Sequence, residues 1–155
     1  MKYSIFFALG ALGAQTAHFT FNNADSSKHY NLTVVADGTV VKPRTPSCIL
    51  IPHSGSANIV DNRLAVHHID APDYCLRTLC KLSTAQPTEL KDAIAADGVT
   101  QQVVLNPPTQ VLSISCKGDC VPTYGECYKD GQYVGPCCNG FCAANRCRPW
   151  NTDSQ

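Results

Sequence analysis

The chain has 155 residues, and its twelve basic and twelve acidic side chains give a formal net charge of zero at pH 7. This balance argues against a nucleic-acid-binding protein and against a strongly cationic membrane-lytic peptide, because both need a net positive surface. The chain also contains ten cysteines, whose meaning depends on the compartment in which the protein folds.

The N-terminus has the layout of a secretory signal peptide. Lys2 precedes the apolar run IFFALGAL (residues 5–12), and small residues follow as far as Ala17. The run is too short to span a bilayer, so we predict export without membrane insertion. Cleavage after Gly13 or after Ala17 fits the pattern, and we assign residues 1–17 to the signal peptide. The mature protein is expected to be secreted and extracellular.

All ten cysteines follow this segment. In an exported chain, an even and dense cysteine count predicts a disulfide framework. Zinc sites usually contain CxxC pairs, and the sequence has none. We therefore expect five disulfides, no bound metal and no other cofactor.

Residues 18–116 are predicted to form a small β-rich domain. Segments rich in β-branched residues, several of them alternating with period two, are separated by Pro and Gly, which favours a disulfide-bonded β-sandwich-like fold. The predicted strands are HFTF (18–21), NLTVV (31–35), TVVK (39–42), CILI (48–51), RLAVHHI (63–69), QQVVL (101–105) and TQVLSIS (109–115).

Two local signals complete the expected secondary structure. Asp37-Gly38, between two predicted strands, indicates a two-residue β-hairpin turn. Residues 88–98 begin with the N-cap candidate Thr88, contain good helix formers and end at Gly98, so they predict one short helix. The expected fold class is therefore mainly β with a single short helix.

The C-terminal region, residues 117–150, has few aliphatic side chains and is followed by a short tail, residues 151–155. A region this small cannot build a sufficient apolar core and normally needs covalent support. Each disulfide typically contributes ~2–4 kcal/mol by restricting the unfolded chain. Three disulfides in this region would therefore replace the missing core.

The cysteine spacing from Cys120 to Cys147, C-x6-C-x9-C-C-x3-C-x4-C, resembles that of the inhibitor cystine knot, or knottin, family. This family includes venom toxins, plant protease inhibitors and some fungal effectors. The resemblance implies a knottin-like module after the β-domain, with a small hairpin for which Asn139-Gly140 is a suitable tight turn. It also implies three disulfides: Cys120–Cys138, Cys127–Cys142 and Cys137–Cys147.

The hevein-type chitin-binding module also has a central cysteine pair, but the gap after that pair is longer than the gap here and carries a serine and aromatic residues.

The four cysteines outside the knottin-like module allow three pairings. Cys48 opens an apolar strand and Cys116 closes another, which favours a Cys48–Cys116 bridge across the sandwich. Cys75–Cys80 would then form a local clasp.

The whole chain looks like the small secreted cysteine-rich proteins that filamentous fungi use as effectors. The export signal, the modest length, the ten cysteines and the absence of an enzyme motif carry this resemblance. The sequon Asn31-Leu32-Thr33 predicts a glycoprotein if the sequon is used.

Enzyme signatures are missing from the sequence: we find no GxSxG, no HExxH and no phosphate-binding glycine loop. One remote hypothesis concerns copper. Cleavage after Ala17 would make His18 the N-terminus, and its amine and imidazole, with His67 or His68, would resemble the histidine brace of lytic polysaccharide monooxygenases. Adjacent histidines in a strand face opposite ways, which argues against this brace. Because the sequence has no enzyme signature, we expect a non-enzymatic protein.

Aromatic side chains in the C-terminal region give the stronger functional prediction. If disulfides fill the module, these rings should be exposed, and exposed Tyr and Trp on a rigid frame are typical binding anchors. Packing of the rings on the β-domain is the alternative. The candidate binding residues are Tyr124, Tyr128, Lys129, Tyr133, Phe141 and Trp150.

We therefore predict a secreted, effector-like binding protein that engages an extracellular host or competitor protein through its knottin loops. Three other functions remain open. Lys129 in the longest loop would serve as the P1 residue of a protease inhibitor, and exposed aromatics would bind carbohydrate such as chitin. An antimicrobial or toxin-like role is weakened by the balance of four basic and four acidic residues after position 115.

Overall fold

The computed structural model describes residues 13–43 and 64–150. The fold is mainly β with one short helix, as the sequence predicted. Its sheets are antiparallel, and the helix of the described residues has four residues and lies elsewhere than predicted. The elements are β1 (Thr16–Asn22), β2 (His29–Val35), β3 (Asp37–Val41), β4 (Val66–Ala71), α1 (Leu76–Leu79), β5 (Cys80–Thr84), β6 (Glu89–Ile94), β7 (Gln101–Thr109), β8 (Val111–Lys117), β9 (Tyr128–Lys129), β10 (Gln132–Tyr133), β11 (Phe141–Ala143) and β12 (Arg146–Arg148).

Two sheets enclose the main core. One has five strands in the order β2-β1-β4-β7-β6, and the other has three in the order β3-β8-β5. Strand β1 shows why they pack: Ala17, Phe19 and Phe21 alternate with polar residues and are buried on one face, as period-two patterning requires. Facing residues such as Val111 and Ile114 of β8 belong to the same buried cluster.

The C-terminal region consists of two small hairpins held by disulfides. Strands β9 and β10 form one hairpin, and β11 and β12 form the other. The three disulfides implied by the resemblance are present: Cys120–Cys138, Cys127–Cys142 and Cys137–Cys147. A separate buried cluster here consists of Cys127, Cys137 and Cys147 with Val121 against it, so sulfur occupies the place that aliphatic side chains fill in the sandwich.

The two regions are joined closely. The Tyr74 hydroxyl donates to the Gly118 carbonyl at 2.6 Å, and the Cys120 backbone N–H donates to Gln15 Oε1 at 3.0 Å. Cys120 and Cys138 belong to the sandwich core cluster. The first disulfide of the C-terminal region is therefore packed with the β-domain.

The predicted helix at 88–98 is wrong. Residues Glu89–Ile94 form strand β6, which pairs antiparallel with β7, because strand pairing outweighs the weak preference of a short segment for helix. Gly98, expected to end a helix, lies in the β6–β7 turn with φ +73°. Asp97 closes that turn by accepting from the Val99 and Thr100 backbone N–H groups. The helix that does form is α1, which had not been predicted.

Two predicted turns are also wrong. Asp37-Gly38 does not join paired strands, because β2 belongs to the five-stranded sheet and β3 pairs with β8 in the other. Asn139-Gly140 precedes β11, whereas the β11–β12 turn is formed by Ala144 and Asn145, both with positive φ. Gly140 serves another purpose, since a Cβ on it would collide with the Arg148 carbonyl oxygen.

The pairings favoured for the remaining cysteines are wrong as well. Cys116 is bonded to Cys80, its cross-strand neighbour on β5, rather than to Cys48. Cys75 is a buried free thiol and is not clasped to Cys80. Cys48 and the predicted strand 48–51 lie outside the described residues. The Cys80–Cys116 bond therefore staples two strands of one sheet instead of crossing the sandwich.

Residues at the end of the predicted signal peptide are part of the fold. Ala17 is fully buried in the core, and Thr16 pairs with Val35. The Gln15 carbonyl accepts from the Ala36 N–H at 2.7 Å, while its side chain accepts from Cys120. Of the two cleavage positions that fit the sequence, only cleavage after Gly13 preserves these contacts.

Candidate binding cleft

A cleft of ≈ 540 Å³ opens between the five-stranded sheet and the C-terminal region. Strand β6 contributes one wall and the hairpin-bearing C-terminal region contributes the other. Among the described residues, β6 is an outer strand of its sheet. The lining residues are Cys75, Asp92, Ala93, Ile94, Gln101, Tyr133, Pro136, Cys137, Gly140, Phe141, Cys142 and Trp150.

The wall from the C-terminal region is aromatic. The Phe141 and Trp150 ring centroids lie 5.7 Å apart with 41° between the ring planes. Phe141 is 38 % exposed and Tyr133 is 58 % exposed. The Tyr133 ring lies beside that of Tyr128, at a centroid distance of 5.3 Å. These rings are therefore held by one another and present their faces to solvent and the cleft.

The opposite wall adds an exposed aliphatic side chain and a few polar groups. Ile94 is 45 % exposed on the outer strand. Asp92 lies 3.6 Å from Arg77 Nε, so its charge is partly balanced. Gln101 of β7 is buried, and it pairs across the strands with Ile94 of β6. The cleft thus combines apolar walls with a small number of polar groups, which is the usual composition of a ligand site.

The indole nitrogen of Trp150 is an unpaired polar atom beside the cleft. This Nε1 atom is buried and has no hydrogen-bond partner among the described residues. Buried polar atoms in folded proteins nearly always have a partner, and leaving one unpaired costs ~1–3 kcal/mol. An atom buried in this way is not accessible to a molecule in the cleft.

The structure brings together three of the six predicted binding residues, Tyr133, Phe141 and Trp150, and places Tyr128 beside Tyr133. Tyr124 and Lys129 do not line the cleft. Tyr124 is an exposed residue whose carbonyl accepts from Arg146 Nη1 at 3.0 Å. Tyr124, Tyr128, Tyr133 and Phe141 are exposed, as the prediction of surface rings requires.

Lys129 lies at the end of the β9–β10 hairpin. It pairs with Gln132 across a two-residue turn formed by Asp130 and Gly131, which have φ of 50° and 78°. These values match the type I′ turn that favours a tight hairpin. The side chain is exposed, but the backbone on its C-terminal side folds back at once.

The cleft residues from the β-domain were missed by the sequence analysis. Ile94 and Asp92 fell inside the predicted helix, and Gln101 was treated only as part of a strand. No pattern in the sequence indicates that residues 92–101 face residues 133–150. Strand β6 does not alternate regularly between exposed and buried residues, and its good helix formers favoured a helix.

Other predicted sites lie apart from the cleft. Asn31 is exposed on β2, and its Oδ1 accepts from the Thr20 hydroxyl at 2.9 Å. His18 is held by Asp73, through both its backbone N–H at 3.0 Å and its Nδ1 at 2.6 Å. Asn22, four residues further along β1, is the residue that pairs with His68, so His18 is separated from His68 by about 13 Å at the rise of a strand. The structure does not bring His18 to the other two histidines.

Comparisons with protein-family models, with curated proteins and with solved structures found no match for this chain. The four disulfides in a small, mainly β protein are typical of cysteine-rich extracellular proteins. Within the described residues, no helix is long and apolar enough to cross a membrane.

Proposed function

We propose that this protein is a secreted, non-enzymatic binding protein of the effector type, and that it engages an extracellular protein through the cleft between β6 and the C-terminal module. The observation that carries the proposal is the exposed cleft with the Phe141–Trp150 aromatic wall facing Ile94 of β6. We also infer that the module is a knottin. Its disulfide connectivity supports this inference, as do the Cys127, Cys137 and Cys147 sulfurs, which lie within 4.8 Å of one another.

The cleft suits an extended peptide segment of a partner. Strand β6 is an outer strand, and an extended peptide can add to such an edge through main-chain hydrogen bonds. An apolar or aromatic side chain of that peptide would enter the space between Ile94 and Phe141. The disulfides hold the aromatic wall rigid, so little conformational entropy is lost on binding.

Carbohydrate binding is the second candidate, because exposed rings also stack on sugars. The Tyr128–Tyr133 pair favours this alternative, since both rings are exposed side by side on a rigid hairpin. The protease-inhibitor hypothesis has less support. Inhibitory loops present an extended segment on both sides of the P1 residue, whereas Lys129 is followed directly by a tight turn.

The chain contains a single tryptophan, so Trp150 is a built-in fluorescent reporter of the cleft. We would add candidate extracellular proteins, and separately chitin oligosaccharides, to the oxidised mature protein and record the tryptophan emission. A partner captured from host extracellular extract must change this emission and must bind Phe141→Ala at least ~10-fold more weakly, as expected for a binding anchor.

The matched control is Tyr124→Ala, which removes an exposed ring outside the cleft. Binding of a protein partner that is unchanged in Phe141→Ala but lost in Tyr124→Ala would place the interface elsewhere and reject the cleft. If only chitin oligosaccharides change the emission, and Tyr133→Ala abolishes that change, the ligand is a glycan and not a protein. Retained thermal stability in each variant ensures that the loss is one of contact.

A further inference from the structure

His67 and His68 occupy an irregular point of the five-stranded sheet. On one side of β4, strand β1 ends at Asn22, which pairs with His68. His67 therefore has no pairing partner on β1. On the other side, His68 pairs with Val104 while Val66 pairs with Thr109, so β7 bulges outward opposite His67. Bulges increase the local twist of a strand and redirect its side chains. In a regular strand, by contrast, the two rings would point to opposite faces.

As a result, the two imidazoles converge instead of diverging. Their Nδ1 atoms are 3.3 Å apart, and the rings are nearly perpendicular, at 86° with centroids 5.6 Å apart. Two imidazole nitrogens bound to a tetrahedral Zn²⁺ at ~2.0–2.1 Å are themselves about 3.3 Å apart. The pair therefore already has the spacing of two ligands on one tetrahedral ion.

A carboxylate supports the outer nitrogen of His68. Asp70 Oδ1 lies 4.0 Å from His68 Nε2. Asp70 is in turn fixed by Asn22 Nδ2 at 2.9 Å and by Gln102 Nε2 at 2.6 Å. A carboxylate near the far nitrogen of a histidine favours the proton on that nitrogen and leaves the other free to bind a metal. Here the arrangement leaves the His68 Nδ1 lone pair facing His67.

The protonation states required for metal binding are accessible. With the His68 proton on Nε2, the contact between the two Nδ1 atoms is a hydrogen bond donated by His67. A metal ion replaces that shared proton, and His67 keeps one proton by moving it to its own Nε2, so both rings stay neutral. The cross-strand neighbours of His68, Asn22 and Val104, do not titrate.

We propose that His67 and His68 bind one tetrahedral late transition-metal ion of the Zn²⁺ type through their Nδ1 atoms. Asp70 acts as a positioning residue rather than a ligand. Two coordination positions remain for water or for donor atoms from outside the chain. This site is independent of the binding cleft.

The experiment titrates the oxidised mature protein with Zn²⁺ against a competing chromophoric chelator. We expect one-to-one binding that falls at least ~10-fold in His67→Ala and in His68→Ala, because each removes one of two protein ligands. Asp70→Asn should lower the affinity by a factor within the ~10–100-fold range typical of residues that orient a ligand. Mg²⁺, which prefers oxygen ligands, should not compete.

The control is His18→Ala, which removes an exposed histidine paired with a carboxylate at the other end of β1. Equal loss in this control, or Zn²⁺ affinity unchanged in both His67→Ala and His68→Ala, would overturn the proposal. Imidazole nitrogen NMR gives a readout that folding defects do not imitate: Zn²⁺ must shift the Nδ1 resonances of both rings. A shift of the Nε2 resonances alone would also reject this site.

Discussion

The β-sandwich and the C-terminal module are stabilised in the folded state by different interactions. The sandwich buries a continuous set of side chains, including Phe19, Phe21 and Ile69, and within its sheets it contains one disulfide, Cys80–Cys116. The module buries mainly the cysteines of its own bridges, with Val121 against them. Burial of apolar area stabilises the first, whereas restriction of the unfolded chain stabilises the second. The module can therefore leave its aromatic rings on the surface, where they are available to a partner.

The largest expected effect comes from removing a bridge of the module. Cys137→Ser/Cys147→Ser should unfold the module, because the remaining apolar contacts are too few to order it. Cys80→Ser/Cys116→Ser should destabilise the sandwich by ~2–4 kcal/mol but leave it folded. Limited proteolysis followed by mass spectrometry measures this: the first variant should be cut within residues 121–149. Equal resistance of both variants to proteolysis would show that the two regions do not differ in this way.

The second prediction compares a core ring with a cleft ring. Phe21 is fully buried and stacks on Tyr30 at a centroid distance of 4.6 Å, so Phe21→Ala should cost ~3–5 kcal/mol in the free energy of unfolding. Tyr133→Ala should cost no more than ~0.5 kcal/mol, because that ring is exposed. Chemical denaturation of both variants measures the difference. A large cost for Tyr133→Ala would mean that the aromatic wall is needed for folding.

A smaller effect is expected at the contact between the two regions. Gln15→Ala removes the acceptor of the buried Cys120 N–H, and an unsatisfied buried donor costs ~1–3 kcal/mol. Gln15→Glu keeps an acceptor oxygen in place and serves as the matched control. We therefore expect Gln15→Ala to lower the melting temperature more than Gln15→Glu does.

The same contact predicts the position of signal cleavage. N-terminal sequencing of the exported protein should start at Ala14, and a start at His18 would contradict this prediction.

The last prediction is that alkylation without reduction leaves the mass of the protein unchanged. Eight of the ten cysteines are paired, Cys75 is the free cysteine of the described residues, and Cys48 lies outside them. In an oxidising compartment we expect a Cys48–Cys75 bond. Alkylation of unfolded, unreduced protein should then add no mass. Addition of two alkyl groups would show that Cys75 stays a buried thiol in the cleft wall.

Most of the secondary structure could be predicted where side-chain alternation was strong. Strands β1, β2, β7 and β8 fall on the segments whose pattern indicated them, because one face of each is buried in the core. Strand β6 was missed because it is an outer strand with few buried side chains, so the helix formers around Ala93 dominated the local signal. The Asp37-Gly38 turn failed because a local turn signal does not state which sheet the next strand joins.

The sequence by itself determined that the module depends on disulfides, because it has too few aliphatic side chains for an apolar core. The pairing came from the resemblance to the knottin family, and the structure has that pairing. It also determined that aromatic rings would be left outside that framework. Only the tertiary structure decided which rings face Ile94 across the cleft, and which cysteine bonds Cys116. Both depend on contacts between segments far apart in the chain, and local composition carries no information about the partner of such a contact. The convergence of His67 and His68 has the same origin, because the bulge that turns them together belongs to β7 and not to their own strand.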